Sequence, residues 1–140
     1  RNQRDSLGAI VEVKIKNPAA GLGEPVFEKI KSNLARAFMG INACCGVELG
    51  DGFSLAGKKG SEVHRDSDSS VYGGILGGIT TGDDILFRLA FKPTASIGEV
   101  ATQGRDDPCV AIRALPIARA LSFCILADFT LMKRLNRLKD

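Results

Sequence analysis

The 140-residue sequence has few of the residues that build metal centres and disulfide frameworks. It contains one histidine, His64, and four cysteines, none of them spaced as a pair separated by two residues. Zinc sites draw their ligands from closely spaced cysteines and histidines, and disulfide frameworks show regular cysteine spacing. The sequence therefore predicts neither a metal site nor a disulfide framework, and we expect the two cysteines that lie in apolar stretches to act as small apolar residues.

Long apolar runs are also missing. No run approaches the roughly 18 to 20 residues that a membrane-spanning helix needs, and the first residues are polar rather than leader-like. The net charge is only +3, and the one basic cluster, 133–139, is of the kind that complements a helix end. The glycine run at 73–82 lacks the Lys-Ser or Lys-Thr pair of a phosphate-binding loop. These patterns predict a cytoplasmic protein with no membrane or nucleic-acid partner.

What the sequence does contain is the composition of an ordinary globular domain, with 44% hydrophobic and 25% charged residues. We expect one domain over residues 1–140, with a single core. Strict alternation over Ile10 to Lys16 predicts a strand with one wet face. Apolar residues at spacings of three and four then predict a helix from Pro25 to about Gly40.

The second half continues with alternating and glycine-rich segments. A strand is predicted at Cys45 to Leu49, a long polar loop at Ser54 to Ser70, and a hairpin from Gly73 into the alternating residues that end at Phe91. Adjacent Cys44 and Cys45 should point to opposite faces of their strand.

A long helix is predicted at the end of the chain. Asp107 and Pro108 suit its N-cap and first turn, Pro116 either kinks the helix or starts a new one, and the helix runs to about Arg137. Its predicted buried stripe is Ile117, Leu121, Cys124, Ile125 and Leu131. The order strand, helix, strand, hairpin, helix predicts an α+β fold with an antiparallel sheet packed against helices.

Several glycine-rich and charged segments occur in an order known from one enzyme family. They are Gly21–Phe27, Gly46–Phe53, Gly73–Ile79, Lys92–Ile97 and Gly104–Arg113. Any one of them alone would be a weak signal, but together and in order they are specific. The chain resembles the C-terminal part of chorismate synthase over nearly its whole length.

The resemblance implies a lyase of the shikimate pathway of aromatic amino-acid biosynthesis. Such an enzyme removes phosphate and a proton from 5-enolpyruvylshikimate 3-phosphate to give chorismate, and it requires reduced FMN without net oxidation. The family folds as a β-α-β sandwich of antiparallel sheets and helices and forms homotetramers. Some members also reduce flavin with NADP as the associated nucleotide, which the sequence does not decide for this chain.

The resemblance also implies a set of site residues. Asp107 corresponds to the catalytic base that takes the proton from flavin N5. The implied FMN-binding residues are Asn42, Ala43, Gly77, Lys92, Pro93, Thr94, Ala95, Ser96 and Arg105. Lysine and arginine attract the negative charge of the cofactor, and the hydroxyl groups of threonine and serine can donate hydrogen bonds to its oxygens.

Several of these residues have a structural reading as well. Asn42 suits a helix C-terminus, Gly77 a bend, Pro93 a strand end, and Asp107 a helix N-cap with Arg105 as its salt partner. The sequence leaves both readings open.

The sequence departs from the family pattern at charged positions. Asp106 stands where the family usually has histidine, Cys45 where lysine is common, and Arg119 where glutamate is common. The serine-histidine motif, substrate-binding arginines and proton-donating histidines of the family have no counterpart here, and His64 is expected to be an exposed loop residue. Two hypotheses follow: part of the enzyme, or a non-catalytic homologue that binds a flavin or an anion or serves in assembly.

Overall fold

The fold is described by a computed structural model that covers residues 5–64, 69–95, 97 and 109–136. Its elements are β1 (Ala9–Ile15), α1 (Ile30–Met39), β2 (Cys44–Leu49), α2 (Gly60–Val63), β3 (Ile75–Leu76), β4 (Ile79–Thr80), β5 (Ile85–Phe91) and α3 (Ala111–Leu135). The predicted α+β class, with an antiparallel sheet packed against helices, is confirmed.

The main sheet has three strands, with β5 in the centre between β1 and β2. Both neighbours run antiparallel to β5, and Ala9 and Cys44 lie on either side of Phe91. The register shifts between Cys44 and Gly46, so Cys45 is the extra residue of a β-bulge. Because the outer strands run opposite to β5, both begin beside the end of β5.

The predicted alternation of β1 and β5 places one face of the sheet against the helices. Val11 is buried, whereas Glu12 and Lys14 are exposed. In β5 every second residue from Ile85 to Phe91 is buried. The alternating pattern therefore reports a sheet with one wet face, as expected.

Helix α1 covers the dry face of the sheet. It buries Ile30, Leu34 and Phe38, and the Phe38 ring meets the Phe87 ring edge-on at a centroid distance of 5.2 Å. Aromatic pairs in this arrangement contribute about 0.5–1.5 kcal/mol beyond the area they bury. The predicted spacing of this helix is confirmed from Ile30 onward.

The predicted start of this helix at Pro25 is wrong. The Glu24 N–H donates to the carbonyl of Glu28, which is the reverse of the helical direction, and Phe27 is 91% exposed. Helix α1 begins only at Ile30, whose N–H donates to the carbonyl of Gly78 at 3.0 Å. A tertiary contact with a distant turn thus sets this boundary.

Two predictions for the middle of the chain need correction. The predicted loop from Ser54 to Ser70 contains helical turns at Gly52–Gly57, Gly60–Val63 and Ser69–Tyr72. The predicted pairing of the hairpin is wrong: among the described residues β3 pairs with β4, whereas β5, the expected second strand, belongs to the three-stranded sheet.

Helix α3 packs on the sheet at β1, as predicted, and also on α1. It is continuous through Pro116, so the alternative that Pro116 starts a new helix is wrong. The predicted buried stripe is only partly confirmed: Leu121 and Ile125 are partly buried against the core, whereas Cys124 is exposed. Ile117 and Leu131 are about half exposed, and the buried residues are Ala111, Ala114, Ala118, Ser122 and Phe129. Small side chains let this helix approach its neighbours closely, which a search for large apolar residues does not detect. The predicted N-cap, Asp107, lies outside the described residues.

Helix α3 also exposes much apolar surface. Within the described part of the chain, its length and composition would allow it to cross a membrane. Its most apolar 18-residue stretch has a mean hydropathy of 1.6, and 17% of that stretch is buried. Arg119 and Asp128 interrupt the apolar sequence of this helix, so it contains no unbroken apolar run of that length. The helix and β1 line an open groove of about 490 Å³.

We predict that Phe38→Ala lowers the free energy of unfolding by about 3–5 kcal/mol, because it empties a fully buried site. The matched control, Phe53→Ala, removes a ring that is 83% exposed and should change stability by about 0.5 kcal/mol or less. Urea unfolding of both variants measures the difference. Equal effects would contradict the assignment of Phe38 to the core.

A second prediction concerns acid stability. The pKa of Asp84 is lowered by the hydrogen bond from the Asn17 N–H (3.0 Å) and by Lys14, whose Nζ lies 3.1 Å from the carboxylate. A lowered folded-state pKa stabilises the fold above the ordinary value of 3.8, and this contribution is lost as pH falls through the folded value. Asp84→Asn should therefore flatten the fall of melting temperature below pH 3.8.

The exposed Asp128 provides the control for this experiment. Asp128→Asn removes the same charge on α3 and leaves the contacts of Asp84 with Asn17 and Lys14 intact, so equal changes in the two variants would contradict the role of those contacts. A profile for Asp84→Asn that overlays the wild type would show that Asp84 does not contribute in this way.

Candidate functional site

Two of the segments singled out by the sequence meet at one end of the main sheet. Asn42 and Ala43 precede β2, and the segment 92–95 follows β5. Since β2 and β5 are antiparallel, the start of one lies beside the end of the other. The Lys92 N–H donates to the carbonyl of Ala43 at 3.0 Å and joins the two segments directly.

The turn before β2 holds Ala43 in an unusual conformation. The Cys44 N–H donates to the carbonyl of Ile41 at 3.0 Å, and Ala43 has a φ of 67°. The left-handed region costs a residue with a Cβ about 1–2 kcal/mol. Ala43 packs against the core and accepts the hydrogen bond from Lys92, and these contacts oppose that cost. Asn42 is exposed beside it, beyond the helix C-cap at Gly40.

The segment after β5 carries the lysine outward. Lys92, Pro93 and Ala95 are exposed, and Thr94 is half-buried. Strand β5 ends at Phe91, and Pro93 has no N–H with which to extend a ladder, so its structural reading as a strand end is confirmed. An ammonium group and an amide group thus stand on neighbouring exposed segments, which together offer an anion both charge and hydrogen-bond donors.

Ser6 and Gly8 also belong to this end of the sheet, and the sequence analysis missed them. The Ser6 hydroxyl donates to the carbonyl of Thr94 at 2.6 Å. A Cβ on Gly8 would lie 2.8 Å from the carbonyl oxygen of Phe91. Only the register of β1 against β5 reveals these contacts, because the residues are far apart in sequence.

Gly77 lies elsewhere. With Gly78 it forms the turn between β3 and β4, and both residues have positive φ, which supports the reading as a hairpin bend. The Gly78 carbonyl is bonded to the start of α1, whereas Asn42 follows the end of that helix. A ten-residue helix spans about 15 Å, so the structure does not bring Gly77 together with Asn42.

Four further positions of interest lie outside the described residues: Ser96, Arg105, Asp106 and Asp107. Their assignments therefore stay predictions.

The remaining polar residues singled out by the sequence have local partners. Cys45 is exposed at the bulge that opens β2, and the Arg119 guanidinium lies 5.7 Å from the centre of the Phe123 ring. His64 is exposed, as expected, and its Nδ1 lies 3.0 Å from the Tyr72 hydroxyl. All four cysteines are free.

Comparison with known proteins identifies one family. A sequence profile described as chorismate synthase matches residues 1–131. The chorismate synthase of Bdellovibrio bacteriovorus is 48% identical over 134 residues, which cover 96% of this chain and 39% of that protein. The chorismate synthase of a Jannaschia species is 42% identical over 156 residues, which cover 96% and 42%.

A solved structure agrees with the sequence comparisons. A crystal structure of chorismate synthase matches 94% of this chain and 39% of its own chain, with a TM-score of 0.80 and 32% identity. The chain thus spans about two-fifths of the length of the relatives it matches. With the profile match over most of its residues, this chain belongs to the chorismate synthase family.

Proposed function

We propose that this chain supplies the FMN-binding part of a chorismate synthase. The whole enzyme removes phosphate and a proton from 5-enolpyruvylshikimate 3-phosphate, breaking one C–O and one C–H bond to form the new double bond of chorismate. The reaction has no net oxidation, although it requires reduced FMN. Residues 1–140 serve as one domain, the C-terminal part of the cytoplasmic enzyme, which assembles as a homotetramer.

The observation that carries this proposal is the meeting of Asn42 and Ala43 with the segment that begins at Lys92, through the Lys92 N–H and the Ala43 carbonyl. The exposed ammonium of Lys92 suits the phosphate or the anionic reduced ring of FMN. The amide of Asn42 suits the mixed donors and acceptors of the ring edge. These residue types fit the cofactor that the family requires.

The other proposed contacts extend this site. Pro93, Thr94, Ala95 and Ser96 line the cofactor, and the Arg105 guanidinium faces its charge. Asp107 acts as the base that takes the proton from flavin N5, which requires its carboxylate within hydrogen-bond reach of that atom. Gly77, in the turn between β3 and β4, approaches the flat flavin ring at a different part of the cofactor from Asn42, and its missing Cβ permits close contact.

A second candidate function is a non-catalytic module that binds a flavin or an anion, or serves in assembly. It is favoured by the anionic Asp106 at the usual histidine position and by the exposed Cys45 at the usual lysine position. Both changes remove positive charge. Because positive side chains near an anionic ligand strengthen its binding, their loss is expected to weaken it.

We predict that the chain binds reduced FMN under anaerobic conditions and that Lys92→Ala weakens this binding by about tenfold or more, because hydrogen bonds to charged groups contribute about 1.5–3 kcal/mol. Titration followed by flavin absorbance measures the dissociation constant. Lys16→Ala is the matched control, since Lys16 is exposed just beyond the opposite end of β1. Equal effects of the two substitutions would contradict a site at Lys92.

A turnover measurement separates the two candidate functions. We expect this polypeptide alone to form no chorismate from 5-enolpyruvylshikimate 3-phosphate and chemically reduced FMN, because the substrate-binding and proton-donating motifs of the family are not in this sequence. Adding a chorismate synthase fragment that contains those motifs should restore turnover. Turnover by the polypeptide alone would contradict the proposal that this chain supplies only part of the active site. No turnover with the added fragment, while a full-length family enzyme is active, would favour the non-catalytic module.

A further inference from the structure

The segment before β1 continues alongside the segment after β5. Ala9 pairs with Phe91, and each step backward in β1 corresponds to a step forward in β5. Extending this antiparallel register by three steps places Ser6 opposite Thr94. The hydrogen bond from the Ser6 hydroxyl to the Thr94 carbonyl, at 2.6 Å, spans this position.

This side-chain hydrogen bond joins the two segments beyond the last backbone pair of the ladder. Pro93 has no N–H, and the Ser6 N–H is already bonded to the Asp5 carboxylate at 2.8 Å. The Thr94 carbonyl therefore receives its hydrogen bond from the Ser6 side chain instead of the Ser6 backbone. Ser6 is only 9% exposed, so the hydroxyl is largely shielded from water that would compete for this bond.

Gly8 lets the two segments lie this close. A Cβ on Gly8 would meet the carbonyl oxygen of Phe91 at 2.8 Å and Cδ of Pro93 at 3.4 Å. The first contact involves backbone that cannot swing away, so the absence of a side chain is required here.

The segment that begins at Lys92 is thus held from both sides. On one side its N–H is bonded to the Ala43 carbonyl, and on the other side the Thr94 carbonyl is bonded to Ser6. Two hydrogen bonds, one at each end of the Lys-Pro-Thr segment, fix the backbone from which the Lys92 and Thr94 side chains project.

We propose that Ser6 is a positioning residue for the flavin, which acts by holding the backbone of Lys92 to Ala95 in its binding conformation. This inference rests on the proposed function, since it assigns to Ser6 the support of the FMN-binding segment. Pre-organised binding groups avoid the cost of ordering a loop when the ligand arrives.

The test is anaerobic titration of the full chain with reduced FMN. Ser6→Ala should weaken binding by about three- to tenfold, which corresponds to the loss of one neutral hydrogen bond. Ser6→Thr keeps the hydroxyl and should restore binding to within about twofold of the wild type. Rescue by threonine separates the effect of the hydrogen bond from that of the missing atoms.

Ser122→Ala is the matched control. Ser122 is 5% exposed and donates to the Ala118 carbonyl at 2.8 Å, so it too is a buried serine bonded to a backbone carbonyl, but on α3. Its substitution should leave FMN affinity unchanged. Melting temperatures of all variants, measured without FMN, show whether a binding loss follows from unfolding.

The outcomes of this test are distinct. If the wild type binds FMN and Ser6→Ala binds it equally well, the role of Ser6 is overturned. The same follows if Ser6→Ala and Ser6→Thr lose FMN affinity equally. Both outcomes leave the proposed function standing. Absence of FMN binding by the wild-type chain would overturn the proposed function, and the role of Ser6 toward the flavin with it.

Discussion

The antiparallel pairing of β5 with a strand on each side determines where the polar segments of this chain lie. Because β1 and β2 both run opposite to β5, the residues before them and the residues after β5 are gathered at the same end of the sheet. Strand β5 is held in place by the core, since every second residue of it is buried and packs against α1. A site built at this end is supported by the core, while its own residues remain exposed.

The backbone at this end has features that ordinary strand continuation would not require. Ala43 adopts a positive φ, Pro93 stops the ladder, and Gly8 leaves room for the backbone beside it. The hydrogen bonds from Lys92 to Ala43 and from Ser6 to Thr94 hold these irregular segments in place. Local strain maintained by the surrounding structure is common where a protein binds a ligand. In this chain the strained turn and the exposed lysine are directly bonded, which ties the unusual backbone to the proposed flavin contact.

Sequence reasoning predicted the fold well where one face of an element is dry. The alternation of β1 and β5 and the spacing of Ile30, Leu34 and Phe38 report burial directly. It predicted helix α3 but misplaced much of its buried face, because this helix is apolar around much of its surface and packs through small residues such as Ala114 and Ala118. The residues of the candidate site came from resemblance to the family, since about fifty positions separate Asn42 from Lys92 and spacing alone gives no reason to join them. Ser6 was missed because its partner can be identified only from the strand register.

The central claim is that the flavin binds at the end of the sheet where Asn42 and Ala43 meet Lys92. The most direct measurement is the change in backbone amide chemical shifts of the isotopically labelled chain as FMN is added. The account predicts that the largest changes occur at Asn42, Ala43, Lys92 and Thr94, with little change at Lys16 near the opposite end of β1. Changes concentrated in the groove between β1 and α3, with none at Lys92, would contradict it.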